Sequence, residues 1–198
     1  MKNKDVLIWG EVIDGGLDPG TFELIGIGRK LANDINGKLL LVLVGKSLSE
    51  ACKQIATFGA DRIFSIEGPE YEPYNADTYL EAFKCFCKTG QPGILIMLHS
   101  LRAMDIAPRL SVLFKTVLTT DCIGLEIDPE DGLLRRTKPA CGGNAEAIHK
   151  YEALPQVVTV RGGIFPAAGP GATKSEVIKV EIDLKNFSEK TRSLEFAK

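Results

Sequence analysis

The chain is poor in the residues that build metal and nucleophile sites. It has two histidines, and its five cysteines include no Cys-x-x-Cys pair. An odd cysteine count with no regular framework argues against a disulfide scaffold and for a reducing cytoplasm. The 24 basic and 26 acidic residues leave a formal net charge of -2, which provides no basic footprint for nucleic acid. The longest apolar run, Leu39 to Val44, is strand-sized, far short of the roughly 20 residues a membrane span needs. Met1 to Asp5 leads into only a short apolar run, a poor signal peptide. Walker A, the Gly-x-Ser-x-Gly elbow and Gly-x-Gly-x-x-Gly are absent.

What is present is an ordinary globular composition, 44% hydrophobic and 25% charged over 198 residues. Such a length suits one domain that buries roughly 70% of its unfolded surface without a metal or disulfide. Val6 to Trp9 is a strand candidate. Phe22 to Ile35 has apolar residues at helical spacing, and Asn36-Gly37 stops it. Leu39 to Val44 is apolar at every position, as expected where helices cover both sheet faces. Ser47 and Glu50 have capping-box spacing ahead of a helix to about Phe58. A strand over Arg62 to Ile66, a helix over Asp77 to Lys88 and a strand over Gly93 to Leu98 follow. Met104 to Phe114 is then a helix, kinked or begun near Pro108. Four βα units predict an open, doubly wound, mostly parallel α/β sheet between two helix layers.

The pattern changes after Phe114. Thr119 to Ile127 and Leu133 to Lys138 read as strands of a hairpin around the turn-rich Asp128 to Gly132. Ala147 to Tyr151 extends it, and Gln156 to Val160 is another strand. Ile178 to Leu184 alternates as a half-buried strand. Residues 1–184 form the α/β domain with this C-terminal hairpin and strand extension. Residues 185–198 are a charged tail or the start of a linker.

Cys85 and Cys87 fall two apart on a predicted helix, so they diverge and read as small apolar groups. His99-Ser100 follows the fourth strand, at the edge where open α/β sheets bind ligands. Neighbours on an extended segment point apart, which disfavours a proton relay. Gly142-Gly143-Asn144 allows positive φ and close backbone approach. Arg135, Arg136 and Lys138 precede it: a solvated strand edge, or a basic edge facing an anionic cofactor or acidic partner.

These residues, in this order, resemble the N-terminal domain of electron transfer flavoprotein alpha subunits. The matching run is Asp105 to Arg109, Thr119 to Cys122, Gly124 to Asp128, Thr137 to Ala140, Gly142 to Asn144, then Thr159 to Arg161 through Phe165. The likeness spans about Val6 to Asp183. It implies an adenine-nucleotide α-hydrolase-like fold and a heterodimer with a beta-type subunit. It also implies electron transfer through FAD in the assembled complex, from acyl-CoA dehydrogenase-type or other donors. On this likeness Lys138, Arg136 and Asn144 line the partner-held flavin or nucleotide face, with Ser100 and Arg102 nearby. The family's Arg is Lys138 here, which keeps the charge but loses the planar fork. Its small loop before Asp105 is replaced by Leu98 to Arg102. The flavin motifs of a second domain are absent, so the chain alone is not expected to hold FAD. The alternative is a stand-alone module binding AMP, ATP or FAD.

Overall fold

The computed structural model describes residues 4–89, 91–184, 187–188 and 190–191. Seven strands form one sheet, and every pairing in it is parallel. They are β1 (Val6–Gly10), β4 (Leu39–Gly45), β5 (Arg62–Glu67), β6 (Ile94–Leu98), β7 (Leu118–Cys122), β11 (Gln156–Val160) and β12 (Glu176–Lys179). Their order is β12-β5-β4-β1-β6-β11-β7. The remaining strands are a two-residue pair, β2 (Val12–Ile13) with β3 (Gly16–Leu17), and a three-stranded antiparallel sheet. That sheet is β8 (Gly124–Ile127), β9 (Leu134–Ala140) and β10 (Ala145–His149).

The unbroken apolar strands have a direct cause. Val6 and Ile8 of β1 point into one core with Leu39, Leu41 and Leu43 of β4. Leu7 and Trp9 point into the other, with Val42 and Val44. Helix α1 (Gly20–Asp34) and α2 (Ser49–Ile55) cover the first face; α3 (Ala76–Thr89) and α4 (Leu101–Phe114) cover the second. A strand buried on both faces has no solvent side to make polar. The result is the three-layer α/β/α architecture expected from the sequence. The chain steps outward from β1 to β4 and β5, then returns to the far side of β1 with β6. Loops leaving β1 and β6 therefore diverge, and open α/β sheets hold ligands at such a point.

Several boundaries differ from the sequence reading. Thr119 to Ile127 is two strands. β7 joins the parallel sheet beside β11, and the chain turns at Asp121, whose φ is 59°, so that β8 pairs with β9. Edge pairing with Val157 and Val158 outcompetes a longer hairpin. The Ser47–Glu50 capping box does not form: α2 starts at Ser49 without a side-chain cap. Glu67 takes the Leu48 N–H at 3.2 Å instead, and Glu50 pairs with Lys53 at 2.7 Å. Helix α4 begins at Leu101, because the Ser100 hydroxyl accepts the Ala103 N–H at 3.0 Å. Pro108 is accommodated inside it. β12 ends at Lys179, while Val180, Ile182 and Leu184 pack on the second core. The expected tail, 185–198, lies outside the described residues except at 187–188 and 190–191.

Candidate functional site

Two clusters occupy the edge where the parallel strands end. The first fills the β1–β6 divergence. Glu11, one residue past β1, is only 2% exposed. One of its carboxylate oxygens accepts the Ser100 hydroxyl, while the other has no partner among the described residues. Burial raises the Glu11 pKa, opposed by the Ser100 hydrogen bond and the Arg102 charge. Arg102 donates to the Val12 carbonyl at 2.9 Å and lies over the Tyr74 ring at 5.1 Å. Beside it is a cleft of about 400 Å³ lined by Lys46, Tyr71, Tyr74, Tyr79 and Arg102 among others. The Tyr71 hydroxyl is buried there without a partner among the described residues.

The second cluster lies at the ends of β6, β7 and β11. The Thr159 hydroxyl accepts the Asp121 N–H at 3.1 Å and pairs with His99 Nδ1 at 2.9 Å. Asp121 receives two hydrogen bonds from Arg161, at 2.9 and 2.7 Å. The Arg161 bonds hold its carboxyl below the ordinary range, with His99 and Lys138 acting from further off. His99 and Ser100 thus serve different clusters and form no dyad. The following loop is held by Glu23 in the first turn of α1, whose carboxylate accepts the N–H groups of Gly163, Ile164 and Phe165.

The structure distributes the five expected site residues. Ser100 and Arg102 meet in the first cluster. Lys138, partly buried on β9 and paired with Ala147 of β10, lies near enough to the second cluster for its charge to lower the Asp121 pKa. Asn144 sits at the exposed β9–β10 bend, where its amide donates to the Cys141 carbonyl at 3.2 Å. Positive φ there belongs to Cys141, Gly142 and Gly143, not to Asn144. Arg136 is a correction: it is 0% exposed, covered by the Tyr151 ring at 5.2 Å and bonded to the Gln156 side chain at 3.1 Å. It shares a strand face with Lys138, two residues on, but Tyr151 and Gln156 close it off, so it lines no open face. Glu11 and Glu23 escaped the sequence reading; a carboxylate directly after an all-apolar strand was the available signal for Glu11. Among the described residues no group of three or more His, Cys, Asp or Glu could hold a metal, and no helix is long and apolar enough to cross a membrane.

A doubly wound domain with charged clusters at its carboxyl edge belongs to the broad class of three-layer α/β/α proteins. The family is narrower: residues 6–185 match the model of the electron transfer flavoprotein domain, and the chain belongs to that family. It is 34% identical over 197 residues to the electron transfer flavoprotein subunit alpha of Thermoanaerobacterium thermosaccharolyticum, covering 98% of this chain and 59% of the relative. It is 33% identical over 196 residues to Protein FixB of Clostridium saccharobutylicum, covering 98% and 58%. The acryloyl-CoA reductase electron transfer subunit beta of Anaerotignum propionicum is 28% identical over 221 residues, covering 98% and 60%. The chain therefore spans under two thirds of the length of these curated relatives.

Proposed function

We propose that this chain is an alpha-type component of an electron transfer flavoprotein. It docks with a beta-type subunit in the cytoplasm and shapes one wall of a flavin-containing electron-transfer site without holding FAD by itself. It is an electron-carrier component rather than an enzyme, fed by an acyl-CoA dehydrogenase-type donor. The observation that supports this reading is Lys138, a partly buried lysine near Asp121, at the motif that the family resemblance turns toward the partner's flavin. In the complex the flavin would supply the electron-carrying chemistry, and Lys138 would place positive charge toward it, while Arg161 is paired with Asp121. The residues present do not fit FAD held by this chain alone. The two anion-receiving positions at the edge, the Ser100 cap of α4 and the 163–165 backbone, are filled by Glu11 and Glu23.

Co-expression with a beta-type subunit tests the reading. A yellow heterodimer is expected, and a colourless chain when it is purified alone. Stoichiometric flavin on the single chain, or failure to associate, overturns it. A second reading, an AMP- or ATP-binding module, draws on the tyrosine-lined cleft with its orphaned Tyr71 hydroxyl. A thermal-shift titration with AMP, ATP and FAD decides it, because a ligand that binds only the folded state raises the midpoint.

A further inference from the structure

Helix α4 departs from a rule that its neighbours obey. α1 exposes Lys30, Asn33 and Asp34, and α2 exposes Glu50, Lys53 and Gln54. A helix packed on a core turns polar residues outward in this way. α4 buries Ile106, Ala107 and Leu110 on the second core, yet its outward face is apolar as well. Leu101 is 86% exposed, Met104 51% and Val112 78%, and Pro108 is exposed between them. Steps of three, four and four residues keep these side chains on one stripe. Leu113 and Val117 widen it, so five of the nine exposed large hydrophobic side chains among the described residues lie in α4 or just beyond it. Such a concentration marks an interaction surface, whereas scattered apolar residues do not.

The charges beside the stripe say what covers it. Asp105 and Arg109 follow one flank, four residues apart and partly exposed, and pair with each other at 2.9 Å. Asp77 holds Arg109 at 3.1 Å, and the Tyr74 hydroxyl holds Asp105 at 3.3 Å, so both are fixed in place. The stripe from Leu101 to Val112 is centred between residues 106 and 107, and the charge pair is centred at residue 107. A twofold axis through that point lays α4 antiparallel on α4 of a second copy. Leu101 then meets Val112 of the second copy, Met104 meets Pro108 of the second copy near the axis, and each Asp105 faces the opposite Arg109. A contact about a twofold axis must be self-complementary, and two charges of one sign placed there would meet their like. A different partner needs no such coincidence of centres, so a second copy fits better.

We infer that the outward face of α4 is a self-association surface, on which a second copy of this chain packs its own α4 antiparallel about a twofold axis. The contact needs neither flavin nor a beta-type subunit. The stripe is about 17 Å long and one helix wide. That patch is smaller than the ~800 Å² per partner of a standard interface, so the dimer is weak and exchanges with monomer.

Sedimentation velocity of the whole chain over about a hundredfold range of concentration tests this. The wild type should shift from monomer to dimer. Met104→Glu and Val112→Glu should each weaken dimerisation by about tenfold or more, because each puts a charge into the apolar contact. Lys53→Glu, on the exposed face of α2, should change nothing. Asp105→Arg and Arg109→Glu should each fail to dimerise alone, because like charges then face each other across the axis. Mixed, they should dimerise, because opposite charges face each other again. Circular dichroism first establishes that each variant is folded. Should Arg109→Glu not fold, because it also loses Asp77, Asp105→Arg and the two apolar-face variants carry the test.

A wild type that stays monomeric at the highest concentration overturns the surface and leaves the alpha-type reading standing. Association that Met104→Glu and Val112→Glu leave within about twofold lies elsewhere on the chain and overturns it too. A mixture of folded Asp105→Arg and Arg109→Glu that stays monomeric overturns the twofold arrangement and with it the inference. A monomeric chain whose Met104→Glu variant loses affinity for a beta-type subunit assigns the face to that partner, which is equally an overturning result.

Discussion

Both carboxylate oxygens of Glu23 accept the backbone N–H of Gly163, at 3.0 and 2.9 Å, across 140 positions of sequence. Ile164 and Phe165 donate to the same carboxylate at 3.2 and 3.3 Å. One side chain on α1 thereby sets the path of the loop that leaves β11. Glu23→Ala should destabilise the fold by about 1–2 kcal/mol. It should also speed hydrogen exchange at Gly163 and Ile164 more than at the β11 amides. Equal exchange in both forms would mean the carboxylate does not hold the loop.

Gly26 lies under the same loop. A Cβ built there falls 2.4 Å from the Pro166 carbonyl oxygen, a backbone atom that cannot swing aside. Gly26→Ala should therefore push the 163–168 segment off α1, at about 1–3 kcal/mol. Urea denaturation measures it, and a neutral result would place the loop further from α1 than it stands here.

Burial raises the Glu11 pKa, and the sign of its effect on stability follows. The folded state holds the proton more tightly than the unfolded chain. Glu11 therefore costs nothing below the unfolded value of 4.5 and costs progressively more as pH rises through its folded value. Glu11→Gln keeps an acceptor for Ser100 and removes the charge. It should be more stable than wild type at pH 7–8, with the gap closing toward pH 4.5. Parallel denaturation curves at several pH values check this; a gap that widens on acidification would refute it.

Arg136 buries a guanidinium whose Nε and Nη1 have no partner among the described residues. Arg136→Met keeps much of the volume and removes that burden. It should be neutral or stabilising, by up to about 3 kcal/mol, as for other buried ionic groups replaced by apolar ones. Arg136→Ala should destabilise, because it opens a cavity under Tyr151. Chemical denaturation of the pair separates charge from packing. If both lose stability equally, the guanidinium is satisfied in solution.

Most of the fold was legible in the chain itself. Alternate side chains of β1, β4 and β6 enter different cores, so these strands are apolar throughout, and that pattern alone implies helices on both faces. Asn36, at a φ of 53°, ends α1 where the sequence placed the stop. Short-range capping was less legible. Ser47 and Glu50 have the right spacing, but α2 starts at Ser49 with Leu48 in the cap position, where Glu67, at the end of β5, accepts the Leu48 N–H.

The site was legible only by residue type. Basic residues on β9 and a Ser before α4 are visible in the sequence, but which way each one points is not. Burial under Tyr151 removes Arg136 from the edge, although it sits two residues from Lys138 on the same strand. Glu11 with Ser100, Asp121 with Arg161 and Glu23 with Gly163 are separated by 89, 40 and 140 positions. Local pattern thus determined the layers and their order of appearance, because apolar periodicity reports burial directly. The tertiary structure alone decided which charges meet at the carboxyl edge and which remain free, because those pairings depend on strand order and register that no local pattern encodes.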